Sequence, residues 1–275
     1  MKPVIVLLTD FGLSDPYVGV MKGVIANINP DIRIIDLTHD IPKYGIEIAA
    51  YVLKSTYKYF PKRSIFNVVV DPGVGSSRKP LIVQSRNYLF IGPDNGVLLP
   101  AATDDGLVDA YEINPRIAGL PEISWTFHGR DIFAPTAALL SLGVAPDSLG
   151  SKVNLKELVS VDVPPKNPKI ISESIVAVPV FYIDSFGNII LSTDIKSLTR
   201  ALKLKLGDII EVSTNLTSSG WLRAKVARTF SEVKPGKLAI YKGSLGLAEI
   251  AVNLSAASKI LGVGAGDIIY LRKAQ

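Results

Sequence analysis

The feature that most constrains how this chain can fold is a change of rhythm partway along it. Through the first 160 residues, short apolar runs alternate with segments whose apolar residues recur at helical spacing. Beyond Pro164, Pro165 and Pro168 only short runs remain. Residues 4–8 form an unbroken apolar run, as a strand buried on both faces requires. Ser14-Asp15-Pro16 reads as a helix start, with a capping side chain and a Pro near the first helical position. The helix that follows carries Val18, Met21, Val24 and Ile25 on one face. Residues 32–37 and 65–70 read as further strands and residues 46–57 as a second helix, while residues 80–84 and 88–91 flank Ser85-Arg86-Asn87 as a hairpin. Gly129-Arg130-Asp131 precedes a helix over residues 132–142. Alternation of this kind predicts an α/β fold with a mostly parallel sheet and helices on both faces.

Three prolines in five residues fit neither a helix nor a central strand, so residues 161–169 read as a linker. It separates an α/β domain over residues 1–160 from a second domain over residues 170–275. There the runs 175–183, 189–192, 209–213, 221–226, 238–241, 247–252 and 268–271 are separated by Gly and polar turns. Helical periodicity is nearly absent, which predicts a small all-β barrel or sandwich.

Composition narrows the function classes. With 275 residues, 48% of them hydrophobic and 20% charged, the chain can bury one large or two medium cores. A net charge of +5 would suit an anionic partner, but Lys and Arg are scattered, so nucleic acid is not expected. Cysteine is absent, which removes disulfides and thiolate metal sites. The apolar run near the amino end meets Asp10 too early for a signal segment, and no run approaches a membrane span. A cytoplasmic protein is the expectation. Two Met, two Gln and no Cys lean towards a heat-adapted source.

Ligands of parallel α/β sheets bind beyond the carboxyl ends of the strands. Asp10 follows the first strand and Asp71 the third, and each precedes a Gly-containing turn. Glycines let backbone approach a ligand, and an Asp beside them can accept both hydroxyls of a ribose. One such Asp alone more often merely caps a turn or a helix, a reading that weakens for two together. Asp71-Pro72-Gly73-Val74-Gly75 lacks the endings of phosphate-binding loops. Arg78 is long enough to fold back on Asp71, although such pairs are more often structural than catalytic. Of the two histidines, His39 reads as a satisfied polar group. His128, in Phe127-His128-Gly129-Arg130-Asp131, is the better catalytic candidate. Neither His has metal-ligand spacing, so no metal is expected.

Five segments in order then resemble one family: Thr9-Asp10-Phe11-Gly12, Asp71 to Arg78, Phe127 to Asp131, Asp184 to Asn188, and Ser244 to Asn253. This is the S-adenosylmethionine hydrolase (adenosine-forming) family, sister to the fluorinases and chlorinases. The resemblance implies a Rossmann-like first domain, a β-barrel second domain, no cofactor, and a homotrimer with its sites at subunit interfaces. It implies that Asp10 binds the ribose hydroxyls and that Asp184 and Asn188 hold the methionine part, with Asp15 near its amino group. Ser244 and Asn253 fall in the adenine-reading segment, with Phe186 and Phe230 packing on the base. Tyr44 falls at an aromatic wall, and Phe127 and Gly129 fall among the substrate contacts. Asp71, Arg78 and His128 match the polar trio of the hydrolases. The fluorinases resemble this chain but carry Tyr at the Asp71 position and Ser at the Gly129 position. A chlorinase activity, or binding of the ligand without turnover, are the alternatives to hydrolysis.

Overall fold

The computed structural model describes residues 3–118, 123–217 and 220–274; Met1 and Lys2 of the amino-terminal run lie outside them. The chain divides into two compact units between Val163 and Pro164, at the start of the proline cluster.

The first unit runs β1 (Val4–Thr9), α1 (Tyr17–Ile28), β2 (Arg33–Thr38), α2 (Ile46–Thr56), β3 (Ile65–Val69), β4 (Pro80–Ser85), β5 (Leu89–Pro93), α3 (Leu99–Asp105), β6 (Leu107–Ile113), α4 (Ala134–Ser141), α5 (Pro146–Leu149) and β7 (Gly150–Lys152). Its sheet has the order β2-β1-β3-β5-β4-β6-β7. The first four strands are mutually parallel, and the hairpin strand β4, then β6 and β7, continue the sheet antiparallel. All six residues of β1 are buried, which explains its lack of polar alternation. Val4, Val6 and Leu8 pack with Ala49, Ala50 and Leu53 of α2 and with Ala101 and Ala102 of α3. Ile5 and Leu7 pack on the other face with Met21 and Ile25 of α1 and the alanines of α4. Each fully buried side chain of this size contributes about 1.5–3 kcal/mol, and the small alanines let the helices sit close.

Three local expectations are corrected. Helix α1 has Pro16 itself as N-cap and no side-chain capping bond, because Pro presents no acceptor and Asp15 lies one position too early. The helix expected from Ile132 begins instead at Gly129 as a single π turn, Gly129–Phe133, before α4. The second unit also contains two short helices, of seven and five residues, too brief for a periodicity to show.

That unit runs β8 (Lys169–Ser172), β9 (Ile175–Ile183), β10 (Ile189–Asp194), α6 (Ile195–Ala201), β11 (Ile209–Ser213), β12 (Leu222–Val226), β13 (Leu238–Lys242), β14 (Leu247–Val252), α7 (Ala257–Leu261) and β15 (Ile268–Lys273). The order β10-β14-β13-β12-β11-β15-β9 closes through a β9–β10 pairing, giving a seven-stranded barrel with β8 added beside β9. Every pair is antiparallel except β12–β13. Alternate residues fill the interior, among them Val176, Val178 and Val180 of β9 and Leu238 and Ile240 of β13. Among the described residues no helix is long and apolar enough to cross a membrane.

Candidate active site

The register of β1 against β3 sets Thr9 opposite Val69, so Asp10 and Asp71 leave neighbouring parallel strands at their carboxyl ends. This is where a ligand is expected in such a sheet. The turn after Asp71 brings Arg78 back: its Nε donates to Asp71 Oδ1 at 2.9 Å, and its Nη2 donates to Oδ2. Both side chains are at least nine-tenths buried, with 5% of Asp71 and 9% of Arg78 exposed. A two-pronged pair of this kind fixes the carboxylate plane as well as its charge. The guanidinium also lies 5.4 Å from the Phe133 ring centre, and its buried Nη1 has no hydrogen-bond partner among the described residues.

His128 joins the pair from fifty residues away. Its Nδ1 lies 2.7 Å from Arg78 Nη2. Guanidinium only donates, so Nδ1 accepts and the ring proton sits on Nε2. Burial, and then the Arg78 charge, hold the imidazole pKa below its ordinary 6.5, against the opposite pull of Asp71 and Asp131. The result is a neutral imidazole with one N–H to offer.

Two features hold this cluster in shape. Gly75 has φ +78°, and a Cβ there would meet Trp125 O at 2.5 Å, so the Asp71 turn rests directly on the segment leading to His128. Asp131, 2% exposed, accepts from Ser124 N at 2.8 Å and from Arg130 Nε and Nη2 at 2.5 and 2.8 Å. The Phe127 carbonyl receives the N–H groups of both Arg130 and Asp131. A π turn at such a place is a frequent mark of a functional site. Beside it Phe11, Tyr17 and Phe127 form an aromatic triangle with ring centres 5.2–6.0 Å apart. Gly129 is crowded, since a Cβ would lie 3.2 Å from Met21 Sδ and from the Phe127 ring.

Asp10 is 6% exposed. Its Oδ2 accepts the Tyr44 N–H at 2.8 Å, and its carbonyl takes Lys43 Nζ. Tyr44 holds φ at +65°, an unusual conformation for a bulky residue, and is 71% exposed. Asp15 is exposed at the start of α1.

In the barrel unit, Asp184 builds the β9–β10 turn. Its Oδ1 accepts the N–H groups of Phe186 and Asn188, and its Oδ2 accepts Asn188 Nδ2 at 2.9 Å. Phe186 is left 79% exposed. Ser244 is exposed. Asn253 Nδ2 donates to Val233 O at 2.7 Å and so ties down the loop carrying Phe230, whose ring lies 6.5 Å from Tyr241. Tyr241 donates to Glu249 at 2.5 Å. Burial, reinforced by the Asp184 charge, raises the Glu249 carboxyl above the usual range.

Sequence reasoning passed over Asp131, Trp125, Thr9, Tyr241 and Glu249. Thr9, Asp131 and Glu249 lie inside the matched segments, and Asp131 also sits beside Arg130 at a helix start, but none of them stood out as a site residue. Among the described residues no group of three His, Cys, Asp or Glu could hold a metal ion.

An α/β unit with an acid–guanidinium–imidazole cluster at its strand ends, followed by a closed barrel, defines an enzyme for a small molecule. Residues 5–150 match the family model of the SAM hydroxide adenosyltransferase N-terminal domain, and residues 178–270 match that of the C-terminal domain. The chain belongs to the SAM hydroxide adenosyltransferase family. It is 38% identical to the (R)-S-adenosyl-L-methionine hydrolase of Thermus thermophilus, over 98% of this chain and 100% of that protein. Identity to the fluorinase of Nocardia brasiliensis is 23%, over 90% and 92%. The crystal structure of an uncharacterized conserved protein from Thermotoga maritima has a TM-score of 0.86 and 36% identity, covering 98% of this chain and 100% of that one.

Proposed function

We propose that this chain hydrolyses S-adenosyl-L-methionine to adenosine and L-methionine, with water attacking the ribose C5′. The observation that carries this reading is the buried Asp71–Arg78 pair joined to a neutral His128, in a chain 38% identical to a protein named for that reaction. A sulfonium departs readily, so catalysis consists of placing water behind the C–S bond and removing its proton. The water oxygen bonds to C5′, the C–S electron pair returns to sulfur, and Asp71 accepts the proton before releasing it to solvent. Arg78 fixes the carboxylate, and the Nε2–H of His128 orients the water. Placement contributes about 7–11 kcal/mol in favourable systems, and a general base roughly 10²–10⁴-fold.

In the same reading Asp10 holds the ribose hydroxyls and Tyr44 walls the substrate, with Phe127 and Gly129 beside it. Asp184, Asn188 and Asp15 hold the amino-acid end. Ser244 and Asn253 read the adenine, with Phe186 and Phe230 against its faces. The protein needs no cofactor, assembles as a cytoplasmic homotrimer with its sites at subunit interfaces, and takes no nucleic acid. Its domains are residues 1–160 and 170–275, and its source is heat-adapted.

A halide nucleophile is disfavoured here, because a carboxylate at residue 71 repels an anion that must also shed its water. The test is turnover of S-adenosyl-L-methionine in ¹⁸O-water, with and without chloride. The expected result is label on the 5′-hydroxyl of adenosine, and a rate loss of roughly 10²–10⁴-fold in Asp71→Asn. A 5′-chloro product, ligand recovered unchanged, or a fully active Asp71→Asn would each overturn the reading. Light scattering tests the trimer.

A further inference from the structure

Asp10, like Asp71, has a second buried side chain beside it, in this case His39. The Asp10 carboxylate is only half engaged: Oδ2 takes the Tyr44 N–H, and Oδ1 has no hydrogen bond among the described residues. The backbone on either side is tied to His39. Before Asp10, Thr9 Oγ1 lies 2.9 Å from His39 Nδ1. After it, the Gly12 N–H donates to the His39 carbonyl at 2.8 Å. Phe11 N donates to the same Thr9 Oγ1 at 3.2 Å. Thr9 is 0% exposed and His39 3%, so these contacts do not compete with solvent.

The directions of these bonds are set by what lies beyond the ring. His39 Nε2 is 3.1 Å from Asp36 Oδ1, near enough for attraction though outside hydrogen-bond geometry, and Asp36 Oδ2 takes Lys22 Nζ at 2.6 Å. A carboxylate beside Nε2 favours the proton there, which leaves the Nδ1 lone pair for the Thr9 hydroxyl. With its proton given to His39, Thr9 Oγ1 is free to accept from Phe11. Thr9 Oγ1 thus both donates and accepts, and residues 9, 11 and 12 are held around Asp10.

We propose that the His39 side chain is a positioning group, which through Thr9 aims the Asp10 carboxylate at the ribose hydroxyls. This rests on the reading of Asp10 as the ribose ligand. A part confined to packing would change stability alone. Positioning would change discrimination between nucleosides that differ at one hydroxyl, because a site built to bind that hydroxyl rejects its absence.

The experiment is calorimetric titration of the whole protein with adenosine and 2′-deoxyadenosine, for wild type, His39→Ala, His39→Asn and Thr9→Val, alongside KM and kcat for S-adenosyl-L-methionine. Wild type is expected to prefer adenosine at least about tenfold. In His39→Ala and Thr9→Val the preference falls to about twofold and KM rises about tenfold, while kcat moves less than about threefold. His39→Asn keeps an acceptor at the Nδ1 position and keeps the preference. Thr9→Val is nearly isosteric and carries the test if His39→Ala does not fold. Folded variants with the wild-type preference and KM would overturn the proposal. Wild type that binds both nucleosides equally would remove the ribose role of Asp10 itself, and the proposal with it.

Discussion

At Asp71 and His128 the polar groups are fully specified, and this has a consequence in pH. Both Asp71 oxygens face Arg78, and the remaining Arg78 Nη2 contact goes to the His128 lone pair. Protonating His128 places a hydrogen on Nδ1 against that donor. Its pKa is lowered in the folded state and near 6.5 when unfolded, so the unfolded chain takes up the proton first. The stability contributed by the neutral ring is complete above about pH 6.5 and is lost as pH falls below it through the folded-state value. Wild-type Tm is therefore expected to drop more between pH 8 and pH 5 than that of His128→Asn. Parallel melting curves check this, and identical slopes would contradict it. The seven-residue reach from Asp71 to Arg78 was legible in the sequence because a single turn spans it. The Arg78–His128 contact has no local signal, since the two lie fifty residues apart, and only the family resemblance grouped them. The contact between His39 and Thr9, thirty residues apart, was not legible for the same reason, since polar burial leaves no trace in a pattern.

Elements were legible in proportion to their length and burial. The buried run of β1 and the alternating strands of the barrel stand out because each face meets a distinct environment. Strand β8 has four exposed residues and so no alternation to read, while α3, at seven residues, shows too little of a helical period. The π turn before α4 follows from tertiary fit: it lets Gly129 sit against Phe127 and Met21, which local propensity does not encode. The contact between the Asp71 turn and the His128 segment makes a prediction about these elements. Gly75→Ala adds a methyl where Trp125 O lies 2.5 Å away and where φ is +78°. It is expected to separate the two segments and lower kcat by roughly 10²-fold, the scale of a 1 Å misplacement. Steady-state kinetics on folded protein checks this, and an unchanged kcat would show that the two segments tolerate separation.

Across the molecule each unit has its own core, and each holds one of the two tryptophans. In the barrel, Trp221 donates to Thr217 O at 2.8 Å and lies under the Arg272 guanidinium. Ile240 is 0% exposed in the barrel interior. Ile240→Ala should destabilise the barrel by about 2–5 kcal/mol, read from Trp221 fluorescence in a Trp125→Phe background during urea unfolding. A midpoint that did not move would mean that the interior repacks freely. Closure of the barrel also bears on how the protein is made. Strand β9 finds its neighbours in β10, close behind it, and in β15, the last strand of all. While the chain is still emerging from the ribosome, the first unit already possesses every strand of its sheet. The barrel by contrast waits with the edges of β9 and β11 bare until β15 is translated. Premature termination within those final strands would release a chain whose second half presents open, apolar edges to every neighbour.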